Sequence, residues 1–249
     1  MTRIALIGYG AMGRELEALA HAHGCEVTAI FDVDRPLTTS SEASFDVAID
    51  FSLPDAVVNN VRTLAHLQRP VVIGTTGWYA QLPDVSSIVT SSGIGCVWGS
   101  NFSVGVQMFL RIVRAAAALA NDAPEYDVMV HEWHHHRKKD SPSGTAIAIA
   151  STIVDGMDRK HSMEIETQHD RINPYALHVT STRGGEVVGR HVVTMDSVYD
   201  TIDLVHNAKN RSGFAQGALL AAKWVVGRKG IVDFTDIFPE VQAFARSSS

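Results

Sequence analysis

The sequence predicts an α/β chain, with a doubly wound parallel sheet in its first half and a smaller α/β region built on a mixed sheet after it. Three observations carry this. Short apolar runs alternate with helical patterns from residue 3 to residue 121, as strand–helix–strand units do. A glycine-rich turn follows the first run directly. After Pro124 the rhythm changes to strand-like runs with little helix between them.

Residues 3–7 (RIALI) form a continuous apolar run, expected of a strand buried on both faces. Residues 11–23 then place Met12, Leu16 and Leu19 on one helical face. Residues 27–31 and 47–51 are the next strands, and Ser52 is expected to cap a helix that Pro54 helps to start. The strand at 70–73 ends in Gly74-Thr75-Thr76-Gly77. The strand at 95–98 leads through Ser100-Asn101-Phe102 into a long helix over 104–121. Arg111 and Arg114 interrupt the apolar stretch of that helix, so it is read as part of a folded domain and no membrane span is expected. Beyond it, residues 128–133, 177–182, 187–195 and 199–205 read as strands, with Gly184-Gly185 as a turn, and helices follow Ser143 and span 212–226. The change of pattern puts a domain boundary near residue 128.

Composition narrows the function. Of 249 residues, 45% are hydrophobic and 19% charged, enough for a packed core. The net charge of −6 argues against a nucleic-acid partner. Two cysteines, Cys25 and Cys96, lack a paired spacing, and no signal-peptide pattern precedes the first strand, so the cytoplasm is the expected location.

Gly8-Tyr9-Gly10-Ala11-Met12-Gly13 fits G-x-G-x-x-G between a strand and a helix. The first glycine allows the tight turn, the second a close approach of backbone to pyrophosphate, and the third close helix–strand packing. The helix start adds free N–H groups and a positive dipole end. The second strand ends at Asp32, nineteen residues beyond Gly13, where a carboxylate can accept bonds from ribose hydroxyls. Asp32 favours NADH, whereas nearby Arg35 leaves NADPH open. Phe51 and Ser52, Gly74 to Gly77, and Ser100 to Phe102 fall at other strand ends, where ligands of such sheets bind. The first domain is therefore Rossmann-like.

Four of the twelve histidines lie between His131 and His136, and Arg137, Lys138, Lys139 and Asp140 follow. A solvated charge run is the plainest reading. A metal site is the second, because Glu132, His134 and His136 alternate along an extended strand, but the flanking cations oppose it and no metal is expected. The third is a site for a small anion with a histidine or lysine as proton donor, since Ser141-Pro142-Ser143-Gly144-Thr145 leads into a helix N-terminus. The adjoining turn favours the third.

The run Glu132-Trp133-His134-His135-His136-Arg137-Lys138-Lys139-Asp140-Ser141-Pro142-Ser143-Gly144-Thr145 resembles the signature E-x-H-H-x-x-K-x-D-[AS]-P-S-G-T of the 4-hydroxy-tetrahydrodipicolinate (dihydrodipicolinate) reductases. The likeness extends to GYGAMG, to GTTG at 74–77, to NFSVGV at 101–106, to RGGEVVGRH at 183–191 and to FAQGA at 214–218. It implies NADH- or NADPH-dependent reduction of a cyclic imine dicarboxylate in lysine and diaminopimelate synthesis. By the same resemblance His134 is the proton donor and Lys138 the second catalytic cation. His135, Lys138, Ser143, Gly144 and Thr145 would hold substrate, and Gly8, Met12, Asp32, Gly74, Thr76 and Phe102 would line the cofactor. It further implies a homotetramer, and a C-terminal helix returning to the first domain: 1–127 completed by 213–249, with 128–212 as substrate domain. Ser141, Trp133, Arg137 and Lys139 depart from commoner residues of the pattern, and none removes a residue assigned to chemistry.

Overall fold

In β1 (Thr2–Ile7), Ile4 and Leu6 enter one buried cluster and Ala5 and Ile7 another, so the strand is covered on both sides. The alternation recurs in β3 (Val47–Asp50), β4 (Val71–Ile73) and β5 (Gly95–Trp98). It is the period-2 geometry of a strand, doubled because both faces carry helices. The structure, a computed structural model, describes residues 1–41 and 44–247.

With β2 (Cys25–Phe31) and a C-terminal strand, β11 (Gly230–Asp233), these strands form a six-stranded sheet in the order β11-β5-β4-β3-β1-β2. Every pairing in it is parallel. Helix α1 (Ala11–Ala20), α6 (Ser212–Val225) and α7 (Phe234–Ser247) supply one buried cluster through Leu16, Leu219 and Phe238. Helices α2 (Val57–His66) and α3 (Leu82–Ser92) supply the other through Val61, Leu64, Val85 and Val89. The chain leaves β1 in one direction to β2 and returns on the other side to β3, so the switch point lies between β1 and β3.

The second sheet is mixed, in the order β10-β9-β6-β8-β7. Its strands are β6 (Asp127–His134), β7 (Ser162–Glu164), β8 (Ala176–Arg183), β9 (Arg190–Asp196) and β10 (Thr201–Asn207). One face is covered by α4 (Val104–Asn121) and α5 (Gly144–Gly156), whose Phe109, Val113, Ile149 and Ile153 share a cluster with Val128, Val130 and Val179.

Several expectations need correction. Ser52 caps no helix: Leu53 precedes a 3-10 turn at Pro54–Ala56, and the Ser52 hydroxyl instead receives the Asn60 amide at 3.3 Å. The turn at Gly184-Gly185 does not join neighbouring strands, because β8 and β9 lie on opposite sides of β6. The chain divides at Val104 and Arg211, not at 128 and 213. The first unit is Met1–Val104 with the segment from Arg211 on, and the second is Gly105–Asn210. The boundary moves because the buried face of α4 (Phe109, Val113, Ala117, Ala120) belongs to the second unit's core. By length and composition alone α4 is apolar enough to cross a membrane, yet that same face is packed in the core. Strands β7 and β11, of three and four residues, are too short to show a sequence period.

Candidate active site

In a parallel sheet all carboxyl ends share one edge, and the turns singled out in the first unit follow β1, β2, β3, β4 and β5 there. Gly8 has φ +87°, and a Cβ on it would come within 2.4 Å of the Phe51 carbonyl across the switch point. A Cβ on Gly13 would meet the Gly8 carbonyl at 2.5 Å, so helix and strand close on each other there. At Gly10, by contrast, nothing lies within 4 Å of the added atom. The first and third glycines thus serve the chain itself, whereas the second leaves open space above the helix start.

Asp32 is exposed, and its carboxylate accepts the N–H groups of Tyr9 (3.3 Å) and Val33 (2.8 Å). Two lone-pair positions remain for a ligand's hydroxyls. The Tyr9 hydroxyl bonds Glu17. Met12 packs against the first cluster from α1, and Ala11 opens that helix. The ring of Phe51 lies on Gly74, where a Cβ would be 2.2 Å from it. Thr75 is buried and bonds Asp50 at 2.9 Å, whereas Thr76 and Gly77 are exposed. Phe102 is buried edge-on to Phe51 with its ring centroid 4.6 Å from that of Phe234, so its ring belongs to the core beneath these turns. Asn101 Oδ1 accepts the Ser103 N–H at 2.8 Å, and Ser100 is exposed beside it.

Sequence reasoning missed the group that organises these turns. Asp50, fully buried at the end of β3, accepts bonds at 2.9 Å from Ser52 N–H, the Asn60 amide and the Thr75 hydroxyl. An acidic residue closing an otherwise apolar strand was the available signal.

In the second unit, β6 alternates. Val128, Val130, Glu132 and His134 face the helices, while Met129, His131 and Trp133 face the other way. The His131 ring lies tilted at 51° against Trp133 with ring centroids 3.8 Å apart, and Arg190 covers that indole at 5.4 Å. The bulky Trp133 is therefore accommodated away from the site. β6 ends at His134, so His136 does not continue the strand and meets the Gly185 carbonyl at 3.2 Å instead. Arg137 forms a two-pronged bond to Glu186 at 2.7 and 2.5 Å. Both are exposed, and both tie the loop to the segment crossing from β8 to β9. The same segment accepts the His135 N–H at Val187 (2.7 Å), and Gly184 N–H bonds the His134 carbonyl (3.0 Å).

Glu132 is fully buried and accepts the Ser143 N–H (2.9 Å), the Ser181 hydroxyl (2.8 Å) and the Arg183 guanidinium (2.7 Å). Burial opposes its charge, but the His191 ring 3.6 Å away and the hydrogen bonds from Ser143 and Arg183 outweigh that and hold the carboxyl well below the usual range. His134 is 7% exposed, with Nδ1 3.0 Å from Glu132 Oε2 but out of line for a hydrogen bond. Burial lowers its pKa to about 4, against the pull of Glu132, with His191, Lys138 and Arg183 adding to the decrease. A Cβ on Gly189 would stand 3.0 Å from His134 Nε2, so this glycine keeps room for the ring.

Lys138 Nζ lies 2.8 Å from Asp140 Oδ1. Burial resists ionisation of Asp140, but Lys138 and the N–H of Gly144 overcome it and lower its pKa. Ser143 caps α5 by accepting the Ala146 N–H at 3.2 Å, so Gly144 and Thr145 are its first residues. The structure thus gathers His134, Lys138 and the 143–145 turn at one end of the second unit, and assigns His136 and Arg137 to holding the loop. Glu132, His134 and His191 have ligand atoms within 4.8 Å of one another, a spacing a metal would accept. The Arg183 guanidinium on the same carboxylate opposes a cation there, and we read the cluster as a hydrogen-bonded anchor.

A glycine-turned parallel sheet joined in one chain to a unit of this chemistry is the build of a two-unit, dinucleotide-type oxidoreductase. Family models described as dihydrodipicolinate reductase, N-terminus and C-terminus, match residues 2–102 and 105–238. The chain belongs to the dihydrodipicolinate reductase family. It is 34% identical over 239 residues to the 4-hydroxy-tetrahydrodipicolinate reductase of Christiangramia forsetii, covering 96% of this chain and 98% of that one. The enzyme of the same name from Methanoregula boonei is 38% identical over 216 residues, covering 86% and 82%. A dipicolinate-bound dihydrodipicolinate reductase from Paenisporosarcina sp. TG-14 shares the fold, with a TM-score of 0.75 at 22% identity, over 95% of this chain and 99% of that one.

Proposed function

We propose that this chain catalyses NAD(P)H-dependent reduction of 4-hydroxy-tetrahydrodipicolinate to tetrahydrodipicolinate, in lysine and diaminopimelate synthesis. The observation that carries the reading is the joint placement of His134 on buried Glu132 and of the Lys138–Asp140 pair at the start of α5, in a chain of this family.

The first unit fits a dinucleotide. Gly10 offers open space where a pyrophosphate would approach, and the α1 start would hold it. Asp32 would take the adenosine ribose, with Arg35 beside it able to meet a 2′-phosphate, so NADH and NADPH are both served. Phe51, Gly74 to Gly77 and Ser100 to Phe102 would line the nicotinamide end. Bound NAD(P)H supplies the hydride.

The protein's own part is to hold a dianion and deliver a proton. Lys138 and the N–H groups of Gly144 and Thr145 would neutralise one carboxylate, with His135 assisting. Asp140 now pairs with the first two of these groups, so substrate exchanges one carboxylate for another. In the free protein burial keeps His134 neutral near pH 7. Two carboxylates arriving beside it raise its pKa, which couples protonation of the donor to substrate binding. Hydride and proton together saturate one double bond, and the hydroxylated ring also loses water.

The family resemblance implies a homotetramer, and the exposed Met129 and Val205 on the open face of the second sheet are apolar surface that a second copy would cover. Two free, buried thiols, Cys25 and Cys96, suit a reducing cytoplasm. The test is loss of NADH absorbance with substrate freshly made from its aldol precursors. No NADH or NADPH oxidation in that assay overturns the reading.

A further inference from the structure

Directly opposed residues on four neighbouring strands make one polar row on the helix-covered side of the second sheet. Ser181 on β8 opposes Glu132 on β6, Glu132 opposes His191 on β9, and His191 opposes His206 on β10. Such a row is costly to bury unless its members are partnered. The partners converge on Glu132. Its Oε1 accepts Ser143 N–H, Ser181 and Arg183, as above. Its Oε2 takes the Ser143 hydroxyl and lies 3.6 Å from His191 Nε2.

An ionised carboxylate only accepts, so the Ser143 hydroxyl gives its single proton to Glu132. Toward the Ala146 N–H (3.2 Å) and His191 Nε2 (3.3 Å) that oxygen is therefore an acceptor, and His191 Nε2 carries a proton. The buried Nδ1 of His191 has no hydrogen-bond partner, so the ring is held from its Nε2 side. Both donors of Ser143 are thus committed inside the protein, and the residue is only 2% exposed.

We propose that Glu132 and His191 are positioning residues for the reaction argued above, on which this inference rests. They lock Ser143, and through it they aim the Gly144–Thr145 start of α5 at the substrate carboxylate. The same Glu132 oxygen stands against His134, so the proton donor and the anion-binding turn are referred to one fixed point. Ser143 acts through the turn, not on the ligand. A displacement of about 1 Å at such a site costs roughly a hundredfold in rate.

The probe is dipicolinate, titrated calorimetrically into the full chain with NADH present. His191→Leu is expected to weaken dipicolinate binding about tenfold with NADH affinity unchanged, an amount typical of a lost hydrogen bond to a buried group. His191→Gln, whose amide N–H reaches the place of Nε2, is expected to restore it. The double variant Ser143→Ala with His191→Leu should bind no more weakly than Ser143→Ala alone, because both act through one hydroxyl. Glu132→Gln should raise KM and lower kcat together. Should His191→Leu fail to fold, His191→Asn, too short to reach Ser143, is expected to show the same loss. Additive losses in the double variant, or equal losses in the Leu and Gln variants, overturn the proposal while leaving the substrate reading intact. A wild-type chain that binds no dipicolinate overturns both.

Discussion

Glu132 Oε2 stands 3.0 Å from His134 Nδ1, two residues along the same strand, and the imidazole nevertheless stays neutral at pH 7. Burial sets that balance, and it makes stability depend on pH. His134 has a pKa of about 4 in the folded protein against 6.5 unfolded. Below pH 6.5 the unfolded chain takes up a proton that the folded site refuses, so stability falls as pH drops from 6.5 toward 4. The depressed Glu132 carboxyl adds loss in the same direction at lower pH. Between pH 7 and pH 4.5 the His134 part amounts to about 2 kcal/mol. Urea unfolding at pH 7 and pH 4.5 measures it, and His134→Gln should flatten the slope.

The same substitution tests the proton donor. His134→Gln is expected to lower kcat by about a hundredfold or more, the usual worth of a positioned general acid, with NADH affinity retained. In the wild-type protein, binding dipicolinate should move the His134 titration upward from about 4, followed by NMR of the labelled ring. A titration that does not move on binding would remove the coupling between substrate charge and protonation.

Asp140 pairs with the groups assigned to the substrate carboxylate. Asp140→Asn relieves that competition, and KM for substrate is expected to fall roughly threefold, the scale of a partly exposed ion pair. A rise in KM would show instead that Asp140 holds Lys138 in its working position.

The three glycines of the first turn separate in the same way. Gly13→Ala forces a Cβ to 2.5 Å from the Gly8 carbonyl and should cost about 1–3 kcal/mol of stability. Gly10→Ala meets nothing in the chain, so the variant should melt like wild type. Its NADH affinity should fall about tenfold, the loss of one charge-assisted contact. Fluorescence titration and thermal melting on both variants decide.

Most of the parallel sheet was legible because its strands are buried on both faces and its turns carry glycine, aspartate and small polar residues at fixed offsets. The loop from His134 to Thr145 was legible through its residue types. What sequence could not supply was direction. Four histidines in six residues look alike until β6 ends at His134, which turns His134 inward and sends His136 to a backbone carbonyl. Glu132, Ser181 and His191 lie far apart in sequence and meet only through register, and the alternation of β6 was the one hint that a carboxylate faced the core. The boundary at Val104 was hidden because α4 reads as a continuation of the first unit's pattern, and only its packing shows which core it serves.

The stretch between β8 and β9 passes across the end of β6 and is stitched to the following loop through Gly184, Gly185 and Val187. Residues 134–145 and 183–191 therefore behave as one cassette. An engineer who wished to retune substrate choice by grafting the histidine-rich loop from a relative would need to move the second stretch with it. A graft of the first alone would arrive without the backbone that shapes it.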